Sequence, residues 1–480
     1  MFFTVIRIVF AINGIVGCTL IVPILTALAN NEYNVIPSFA IPMVASIILA
    51  LIFIFAGRKK KTQLNTRSAF AVVALAWTSA SLFSAIPLYA SGAIPHLADA
   101  VFESVSGFST TGATILSDIE SLPRSINLWR CETHWLGGMG IVALTVALLP
   151  ILGVGGFQLI KAETTGPEKG KLTPKITNTA KILWMLYFSL TVLETILLKI
   201  AGMDFIDALS HAFATLGTGG FSTRNASIAS FNSAAIDWIL IFFMFCAGVN
   251  FSMYYYLFTG KINDLKKDSE LKVYVSIIVV ASVIITLLEL SRFGSFLKSL
   301  RYSVFQVLTM ITTTGFSTED YTFWHPASQV LVFMMFFIGG SSGSTSGGIK
   351  VIRITIVAKQ LYNEVKRMLH PHGIFSIRIN QRAGRKDVVF NVTAFLFAYL
   401  ALIVISTFFT TLFGIDIFTS FTASASMVGN YGPAFNKLAP SCNYGWLPDA
   451  VKWWYSFVML TGRLEIYTMV IFFFPSFWKK

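Results

Sequence analysis

The sequence predicts an all-α polytopic membrane protein built from four repeats. Charged residues make up only 12% of the 480 residues and mean hydropathy is +0.70, whereas a soluble domain carries about 25% charge. Charge-free runs, each longer than the ~20 residues that cross a bilayer, occupy 8–31, 33–57, 68–98, 135–160, 238–260, 321–349 and 388–415. A short polar loop recurs four times along the chain and predicts the repeat.

The recurring loop is small and polar and follows an apolar run. Its central glycines are Gly112, Gly220, Gly315 and Gly432, spaced by 108, 95 and 117 residues. The fourth loop, Asn-Tyr-Gly-Pro, is the weakest match, and Gly429 is an alternative central glycine there. Glycine permits backbone angles that other residues avoid. Four such loops around one axis would present a ring of carbonyl oxygens, which a desolvated cation needs.

The elements follow one order along the chain. Two peripheral helices are expected near 4–29 and 36–56, and each repeat then has an outer helix, a short re-entrant helix, the polar loop and an inner helix. The short helices are predicted at 99–109, 207–217, 300–312 and 418–428. Asp99 and Asp207 are predicted N-caps of the first two. The domain ranges are 1–67 for the N-terminal pair, then 68–177, 178–271, 272–384 and 385–480 for the repeats.

Each inner helix carries a glycine after its loop, at Gly138, Gly248, Gly340 or Gly462. Glycine at that depth allows a kink or close packing, and packing alone is expected at the first two. Repeat three differs, because 339–348 is ten consecutive Gly, Ser and Thr residues and makes a poor helix. Irregular backbone at membrane depth needs surrounding protein or water. This segment is therefore expected in the central cavity beneath the loops, as a gate or as a hinge without a gating role.

The net charge of +13 indicates membrane topology rather than nucleic-acid binding. Together with Arg7, five basic clusters hold 26 of the 36 Lys and Arg residues, at 58–67, 161–181, 261–272, 350–386 and 479–480. The positive-inside rule places these clusters and both termini in the cytoplasm and the four loops on the outer side. The nine basic residues of 350–386 would dock an acidic partner surface or anionic lipids, or would simply be solvated.

Two charges interrupt the last apolar segment. A charge within a bilayer costs ~2.5–3.5 kcal/mol and needs a partner. Arg463 and Glu465 are two residues apart and so lie on different helix faces, which argues against a simple pair between them. We expect Arg463 to point into the pore, where it would donate to the carbonyls of 339–348 or repel cations. A buried ion pair with Glu194 is the alternative.

No pattern in the sequence supports an enzyme or a metal centre. His134, His211 and His325 have no convergent carboxylate or cysteine pattern, so loop or packing roles are the default for them. The four cysteines lack metal-ligand spacing, although Cys131 and Cys442 both lie on the predicted outer side and could pair. No catalytic triad, carboxylate pair or nucleotide fingerprint emerges.

Together, the four loops, the 339–348 segment and Thr-Gly-Arg-Leu-Glu at 461–465 resemble the Trk/Ktr/HKT superfamily of potassium transporters, within it the bacterial TrkH-type membrane subunits. The resemblance spans nearly the whole chain. It implies four outer helix–pore helix–inner helix units in pseudo-fourfold array after two extra transmembrane helices. It also implies K⁺ uptake across the bacterial inner membrane through one channel-like pore per subunit.

The resemblance also assigns residues and partners. K⁺ is the transported ion, no organic cofactor is expected on this chain, and any nucleotide would bind a partner. The partners implied are a second copy in a homodimer, a cytosolic nucleotide-binding regulatory subunit of the TrkA-like type, and membrane lipid. The expected K⁺ filter is Thr110, Thr111, Gly112, Thr218, Gly219, Gly220, Thr313, Thr314, Gly315, Asn430, Tyr431 and Gly432. The expected gate is Gly339, Gly340, Gly343, Ser344, Thr345, Ser346, Gly347, Gly348 and Arg463.

Glycine at all four central positions predicts K⁺ over Na⁺, because the Na⁺-passing members of the similar family carry serine at the first of them. The alternative function is an ion-coupled potassium symporter driven by H⁺ or Na⁺. Such transporters also use broken helices, but with inverted repeats. Here each outer helix starts from a basic loop, so all repeats share one orientation and a channel-like path is favoured.

Overall fold

The structure is a computed structural model that describes residues 2–56, 65–138, 140, 176–260, 262–373, 375–379, 382–383 and 386–478. Two helical hairpin arms come first. Phe2–Thr19 continues as Ile21–Ala29, and a turn at Tyr33–Val35 leads into Ile36–Ala56. The two arms pack closely because a side chain at Gly14 or Gly17 would collide with the opposite helix. Small residues at such crossings let backbones approach within a membrane.

Four units with the same element order follow, which confirms the all-α repeat architecture. The outer helices are Thr66–Ala90, Ile176–Ile200, Ser269–Leu288 and Lys386–Thr411, here outer helices 1 to 4. Short helices 1 to 4 are Leu97–Phe108, Phe205–Gly217, Phe296–Ile311 and Ile417–Gly429. Inner helices 1 to 4 are Arg124–Gly138, Ala234–Gly248, Pro326–Met335 and Asp449–Arg463. The domain ranges assigned from the sequence stay a prediction. Outer helices 1, 2 and 3 begin two, two and three residues before the predicted starts of their repeats.

Smaller elements complete the described chain. The remaining α-helices are Phe251–Phe258, Ile262–Lys267, Leu290–Phe293, Val351–Leu369, Tyr467–Val470 and Pro475–Trp478. Single 3₁₀ turns lie at Ser227–Phe231, Tyr321–Phe323, Asn436–Leu438 and Ile471–Phe473. Arg378–Ile379 and Arg382–Ala383 pair as a two-residue antiparallel ladder.

Six described helices are long and apolar enough to cross a bilayer. They are Phe3–Ala29, Tyr33–Ala56, Arg67–Ala90, Ala180–Ile200, Ser269–Leu288 and Val388–Thr411. They comprise the N-terminal pair and the four outer helices. The short helices lie inside this frame, and most of their side chains are buried.

The inner helices break more often than expected. Packing alone was expected at Gly248, but inner helix 2 ends there and the chain turns by 95° into Phe251–Phe258. Inner helix 4 turns by 115° after Arg463. The break in repeat three is as predicted, and inner helix 1 also ends at its glycine, Gly138. The glycines still serve packing, since a methyl at Gly462 would strike the Val428 carbonyl of short helix 4.

The predicted N-caps of short helices 1 and 2 are wrong. The helices begin two residues earlier than expected, so Asp99 and Asp207 are the third residues of the first turn. Their carboxylates bind side chains instead: Asp99 pairs with Lys452 at 2.5 Å and Asp207 with Arg224 at 2.5 Å. Acidic groups there still favour the positive end of the helix dipole. Asp416 is a true N-cap and accepts from the Thr419 amide at 2.9 Å.

Replacing Gly462 by alanine tests the contact between inner helix 4 and short helix 4. The added methyl would overlap the Val428 carbonyl oxygen, so we expect a destabilisation of about 1–3 kcal/mol, read as a lower melting temperature in detergent. Val404→Leu, at an exposed position of outer helix 4, adds one carbon without this overlap and is the control. Equal melting temperatures for the two variants would contradict the packing.

Candidate ion pathway

The four polar loops have the same backbone conformation. The residue two before each central glycine is left-handed, with φ of +55° at Thr110, +54° at Thr218, +57° at Thr313 and +58° at Asn430. The central glycines follow with φ of +77°, +80°, +81° and +88° at Gly112, Gly220, Gly315 and Gly432. The intervening amides turn back to the short helices in one pattern: Thr111 to Ser106, Gly219 to Ala214, Thr314 to Thr309 and Tyr431 to Ser426, at 2.8–3.0 Å. Gly432 therefore takes the fourth central position, whereas Gly429 closes short helix 4.

The loops meet in a closed ring. A Cβ at Gly112 would collide with the Gly219 carbonyl oxygen, and one at Gly220 with that of Thr314. The contacts continue from Gly315 to Tyr431 and from Gly432 back to Thr111. Each glycine thus abuts a carbonyl of the next loop, and the fourth loop closes on the first. All four glycines also line one open cavity, here called the outer cavity because the sequence predicts that the loops face outward.

The residues before the glycines are buried, and two polar atoms among them have no hydrogen-bond partner in the described structure. These are the Thr110 hydroxyl oxygen and the Asn430 amide oxygen. The Asn430 amide nitrogen donates to Thr111 Oγ1 (2.9 Å) and to the Met459 carbonyl (3.0 Å), so it ties the fourth loop to the first. The Tyr431 side chain points away from the ring and donates to the Met335 carbonyl at 2.8 Å. Repeat four therefore presents backbone to the ring at this position.

A carboxylate, that of Asp118, lies beside the outer cavity, whose own lining includes the basic residues Arg130 and Arg224. The Asp118 carboxylate accepts from the Asn225 amide at 3.0 Å, and Asn225 lines the cavity. This hydrogen bond lowers the pKa of Asp118 below its ordinary value. The carboxyl is ionised at neutral pH, as an exposed aspartate is without any such shift.

The 339–348 segment lies directly beneath the ring. The Gly347 amide donates to Thr313 Oγ1 at 2.7 Å, and a methyl at Gly347 would contact the Gly429 carbonyl. Gly348 faces the Tyr431 hydroxyl, and Gly343 and Gly348 have left-handed backbones, with φ of +74° and +65°.

Hydrogen bonds also hold the segment in place. The Ser341 amide donates to the Gly248 carbonyl at 2.9 Å, and the Gly339 amide donates to the Ile349 carbonyl at 2.7 Å. The Gly340 backbone packs on Ser346, and Ser344 donates to the Ser341 carbonyl at 2.6 Å.

Arg463 connects this segment to inner helix 1. Its guanidinium donates to the carbonyl oxygens of Thr345 (2.7 Å), Gly137 (2.8 Å) and Gly138 (3.0 Å). The first of these contacts is the expected donation to the segment. The alternative partner, Glu194, is buried on outer helix 2, and neither of its carboxylate oxygens has a hydrogen bond within the described ranges.

Glu465 does not pair with Arg463, as their two-residue separation predicts. Its carboxylate binds Arg353 at 2.6 Å, and the Arg353 guanidinium lies 3.8 Å above the centre of the Phe395 ring. Glu465 and Ile466 have φ of +56° and +55° at the bend that follows inner helix 4. The pair therefore links this bend to the helix that leaves the 339–348 segment.

Sequence reasoning missed the charges that hold the ends of the segment. Glu270, at the start of outer helix 3, accepts from the amides of Ser342 (2.6 Å) and Ile352 (3.2 Å). Lys350 is buried and donates to the Ser346 carbonyl. The one signal for Glu270 in the sequence is an acidic residue at the edge of an apolar span. Nothing in the sequence identifies the amides that it binds.

The cysteines and histidines form no bridge or metal centre in the parts of the chain that the structure describes. The possible Cys131–Cys442 pair is wrong, because Cys131 is buried, Cys442 is exposed and both thiols are free. No group of three metal-ligating side chains occurs among the described residues. His134 and His211 pack against the second loop, and His325 caps inner helix 3.

The family comparison agrees with this architecture. The TrkH family, described as cation transport protein, matches residues 35–480. The chain belongs to the TrkH family. The Trk system potassium uptake protein TrkH of Halomonas elongata is 38% identical over 467 residues, 96% of each chain, and that of Escherichia coli K12 is 38% identical over 485 residues, 98% of this chain and 99% of its own. The crystal structure of the potassium transporter TrkH from Vibrio parahaemolyticus superimposes with a TM-score of 0.89 at 34% identity, covering both chains completely.

Membership of the TrkH family confirms two of the expectations. The family consists of transport proteins rather than enzymes. The family predicted from the four loops and from 461–465 is also the family that the comparisons identify.

Thr313→Val tests the link between the ring and the 339–348 segment. It leaves the buried Gly347 amide without its acceptor, at a cost of about 1–3 kcal/mol. We expect faster amide hydrogen exchange across 341–349. Thr407→Val is the matched control, because the Thr407 hydroxyl donates only to the Ile403 carbonyl of its own helix. Equal exchange in both variants would show that this hydrogen bond does not hold the segment.

Proposed function

We propose that this chain carries K⁺ into the cell across the bacterial inner membrane, through a channel-like pore whose filter is the ring of four loops. The observation that carries the proposal is the closure of the ring, in which four loops of one backbone conformation abut through their central glycines. The relatives at 38% identity are named potassium uptake proteins, which supports the choice of ion. The transported K⁺ would bind at the filter carbonyls only.

The physical basis is the replacement of water by fixed oxygens. An ion that enters the ring loses its hydration shell, and carbonyl dipoles must replace that shell. The oxygens available are those of the residues from Thr110 to Gly112 and of the corresponding residues in the other three loops. Preference for K⁺ is proposed because the Na⁺-passing members of the similar family carry serine at the first central position, where this chain has Gly112. A side chain at Gly112 would collide with the Gly219 carbonyl oxygen of the ring.

The gate in this proposal is the 339–348 segment together with Arg463. The segment lies beneath the ring, and Arg463 ties it to inner helix 1 through the Thr345, Gly137 and Gly138 carbonyls. Opening would require these hydrogen bonds to break and the segment to leave the axis. A positive charge beside the path also opposes cation flow while the arginine stays there.

The assembly in this proposal is a homodimer in which both termini face the cytoplasm, with a TrkA-like nucleotide-binding subunit on the cytoplasmic side. The relatives' names, which speak of a Trk system, support a multicomponent assembly. The basic residues of 350–386 support a cytoplasmic contact with an acidic surface. No nucleic acid is proposed as a partner, because the basic residues cluster in the predicted cytoplasmic loops as the positive-inside rule requires.

Reversal potentials of the purified protein in planar bilayers test the ion and the mode of transport. We expect a clear preference for K⁺ and Rb⁺ over Na⁺ and a potential that follows the K⁺ gradient alone. Equal permeability to Na⁺ would refute the K⁺ filter. A reversal potential that moves with an imposed H⁺ or Na⁺ gradient at constant K⁺ would instead identify a symporter.

Gly112→Ser tests the ring itself. The added side chain meets the Gly219 carbonyl, so we expect the preference for K⁺ over Na⁺ to fall about tenfold or more. Gly92→Ser is the matched control, because Gly92 has nearly the same φ (+75°) and open space around its Cα. A K⁺ preference that survives in the Gly112 variant would remove the ring from the ion path.

Arg463→Ala tests the gate. The change removes three hydrogen bonds to backbone carbonyls and one positive charge. We expect a higher flux of ⁸⁶Rb⁺ into liposomes in the absence of any regulatory subunit. Arg292→Ala, at an exposed outer position, is the control. Unchanged flux in a normally folded Arg463 variant would remove the gating role.

A further inference from the structure

One face of inner helix 1 is directed at the second loop. Asn127, Arg130, Cys131 and His134 follow the i, i+3, i+4, i+7 spacing that places residues on one face of a helix. Arg130, Cys131 and His134 contact the two residues that follow the central glycine of that loop, Phe221 and Ser222. None of the expected filter or gate residues belongs to this face, although Arg130 also borders the outer cavity.

Arg130 forms an ion pair that is sealed from solvent. Its Nη2 lies 2.6 Å from Glu103 Oε1 and its Nε 2.8 Å from the same oxygen, and neither side chain has any solvent exposure. It is the one ion pair of the described chain in which both side chains are fully buried. Glu103 belongs to short helix 1, so the pair joins that helix to inner helix 1.

The pair contacts both neighbouring loops. On the first loop, Glu103 accepts from the Thr114 hydroxyl (2.9 Å) and from the Ile115 amide (2.9 Å). On the second loop, Arg130 Nη1 donates to the Ser222 carbonyl at 3.4 Å, and its guanidinium lies 4.4 Å from the centre of the Phe221 ring. Asn127 fixes the guanidinium from the side at 3.1 Å.

The rest of the face holds the Phe221 backbone. His134 Nε2 accepts from the Phe221 amide at 3.2 Å while its Nδ1 donates to the Gly107 carbonyl at 2.7 Å. This arrangement requires the neutral ring with its proton on Nδ1. The Cys131 thiol lies 3.7 Å from the Phe221 carbonyl. The residue after Gly220 is therefore held at its amide, its carbonyl and its ring.

Stability alone does not account for a sealed ion pair. Removing two charges from water costs several kcal/mol for each ion, and well-packed apolar residues often replace such pairs without loss. The third and fourth loops are held by neutral groups instead. The Thr309 hydroxyl donates to the Phe316 carbonyl (3.0 Å), and Tyr444 donates to the Gly432 carbonyl (2.7 Å). Loops of this kind thus fold without a charge behind them.

We propose that Arg130, oriented by Glu103, is a positioning residue that fixes the second loop against the first and so sets how the ring discriminates among monovalent cations. The role rests on the proposed ion path. Arg130 fixes the position of the Ser222 carbonyl and the Phe221 ring, and Glu103 fixes the first loop through Thr114. Loss of either side chain would release the contact between Gly112 and Gly219, where the two loops meet.

A purely electrostatic role makes a different prediction. Arg130 borders the outer cavity, so a charge left uncompensated there would change cation flow. Glu103→Gln leaves a positive charge and would lower cation conductance, whereas Arg130→Gln leaves a negative charge and would raise it. A positioning role instead lowers K⁺ over Na⁺ selectivity in both variants, and the double variant stays unselective although its charge is balanced.

The experiment measures K⁺ to Na⁺ permeability ratios from reversal potentials, and melting temperatures, for Glu103→Gln, Arg130→Gln and the double variant of the full-length protein. We expect the ratio to fall about fivefold or more in all three, the effect of one lost buried hydrogen-bond network. Arg130→Lys keeps the charge but not the two-pronged geometry and should also lose selectivity. Asp237→Asn is the matched control, because the pair with Arg301 that it breaks joins inner helix 2 to short helix 3 and neither residue belongs to a loop.

A lower melting temperature with an unchanged ratio in these variants would overturn the proposal and leave the pair a structural role. Opposite changes in conductance with an unchanged ratio would assign it an electrostatic one. If the charge variants fail to fold, Thr114→Val is measured in their place. It keeps the ion pair and removes only the hydroxyl that links the pair to the first loop. A normal ratio in this variant would then overturn the proposal. A wild-type protein without K⁺ preference would instead refute the proposed function, before any variant is compared.

Discussion

The contact between each central glycine and a carbonyl of the next loop is the constraint on which this structure depends. No side chain fits in the four contacts, and the fourth contact closes the circle on the first. To bring four backbones this close, each short helix must end at the same depth and each loop must turn through the same left-handed residue. Inner helices 1 and 2 end at glycines, Gly138 and Gly248, and inner helix 4 bends just after Gly462. These glycines leave room for close packing, since a Cβ at Gly138 would collide with Gly217 and one at Gly462 with Val428, both on short helices.

The backbone of the ring is nearly fourfold, but its supports are not. The first two loops are held by a sealed ion pair and a neutral histidine, and the last two by threonine and tyrosine hydroxyls. Among the described residues, only the third repeat supplies a segment beneath the ring, and that segment is fixed by groups from the other repeats, among them Gly248 and Arg463. Repetition of the loop therefore preserves what the ion would contact, while the surroundings have diverged.

Much of the fold could be read from the sequence, because hydropathy and glycine spacing are strong signals in a membrane protein. The loops, the order of elements and the break at 339–348 all follow from local composition. The errors have local causes as well. Aspartate is a good N-cap residue, but the helices of Asp99 and Asp207 start two residues earlier than predicted. The two carboxylates therefore bind Lys452 and Arg224 instead. The bend at Gly248 looks like ordinary helix in sequence, since the residues around it are apolar.

Apart from the donation of Arg463 to the 339–348 segment, the partners of the buried charges could not be predicted from the sequence. Glu103 and Arg130 are 27 residues apart, and Glu270 binds amides 72 and 82 residues away. Such pairs depend on how helices from different segments meet, and a single sequence carries no sign of that meeting. The rule that a membrane-embedded charge needs a partner was available. For Arg463 it left the carbonyls of 339–348 and the carboxylate of Glu194 both open, and the structure shows carbonyl partners.

The four loops belong to one polypeptide, and this has a consequence for how such a protein can change. In a channel assembled from four identical subunits, one codon change alters all four loops around the ion pathway at once. In the proposed pathway of this chain, a mutation would alter a single loop and leave three intact, so that ion preference would change in small steps while transport continues. Genetic drift can also act on each quarter separately, and the uneven supports behind the loops are what such a history would leave.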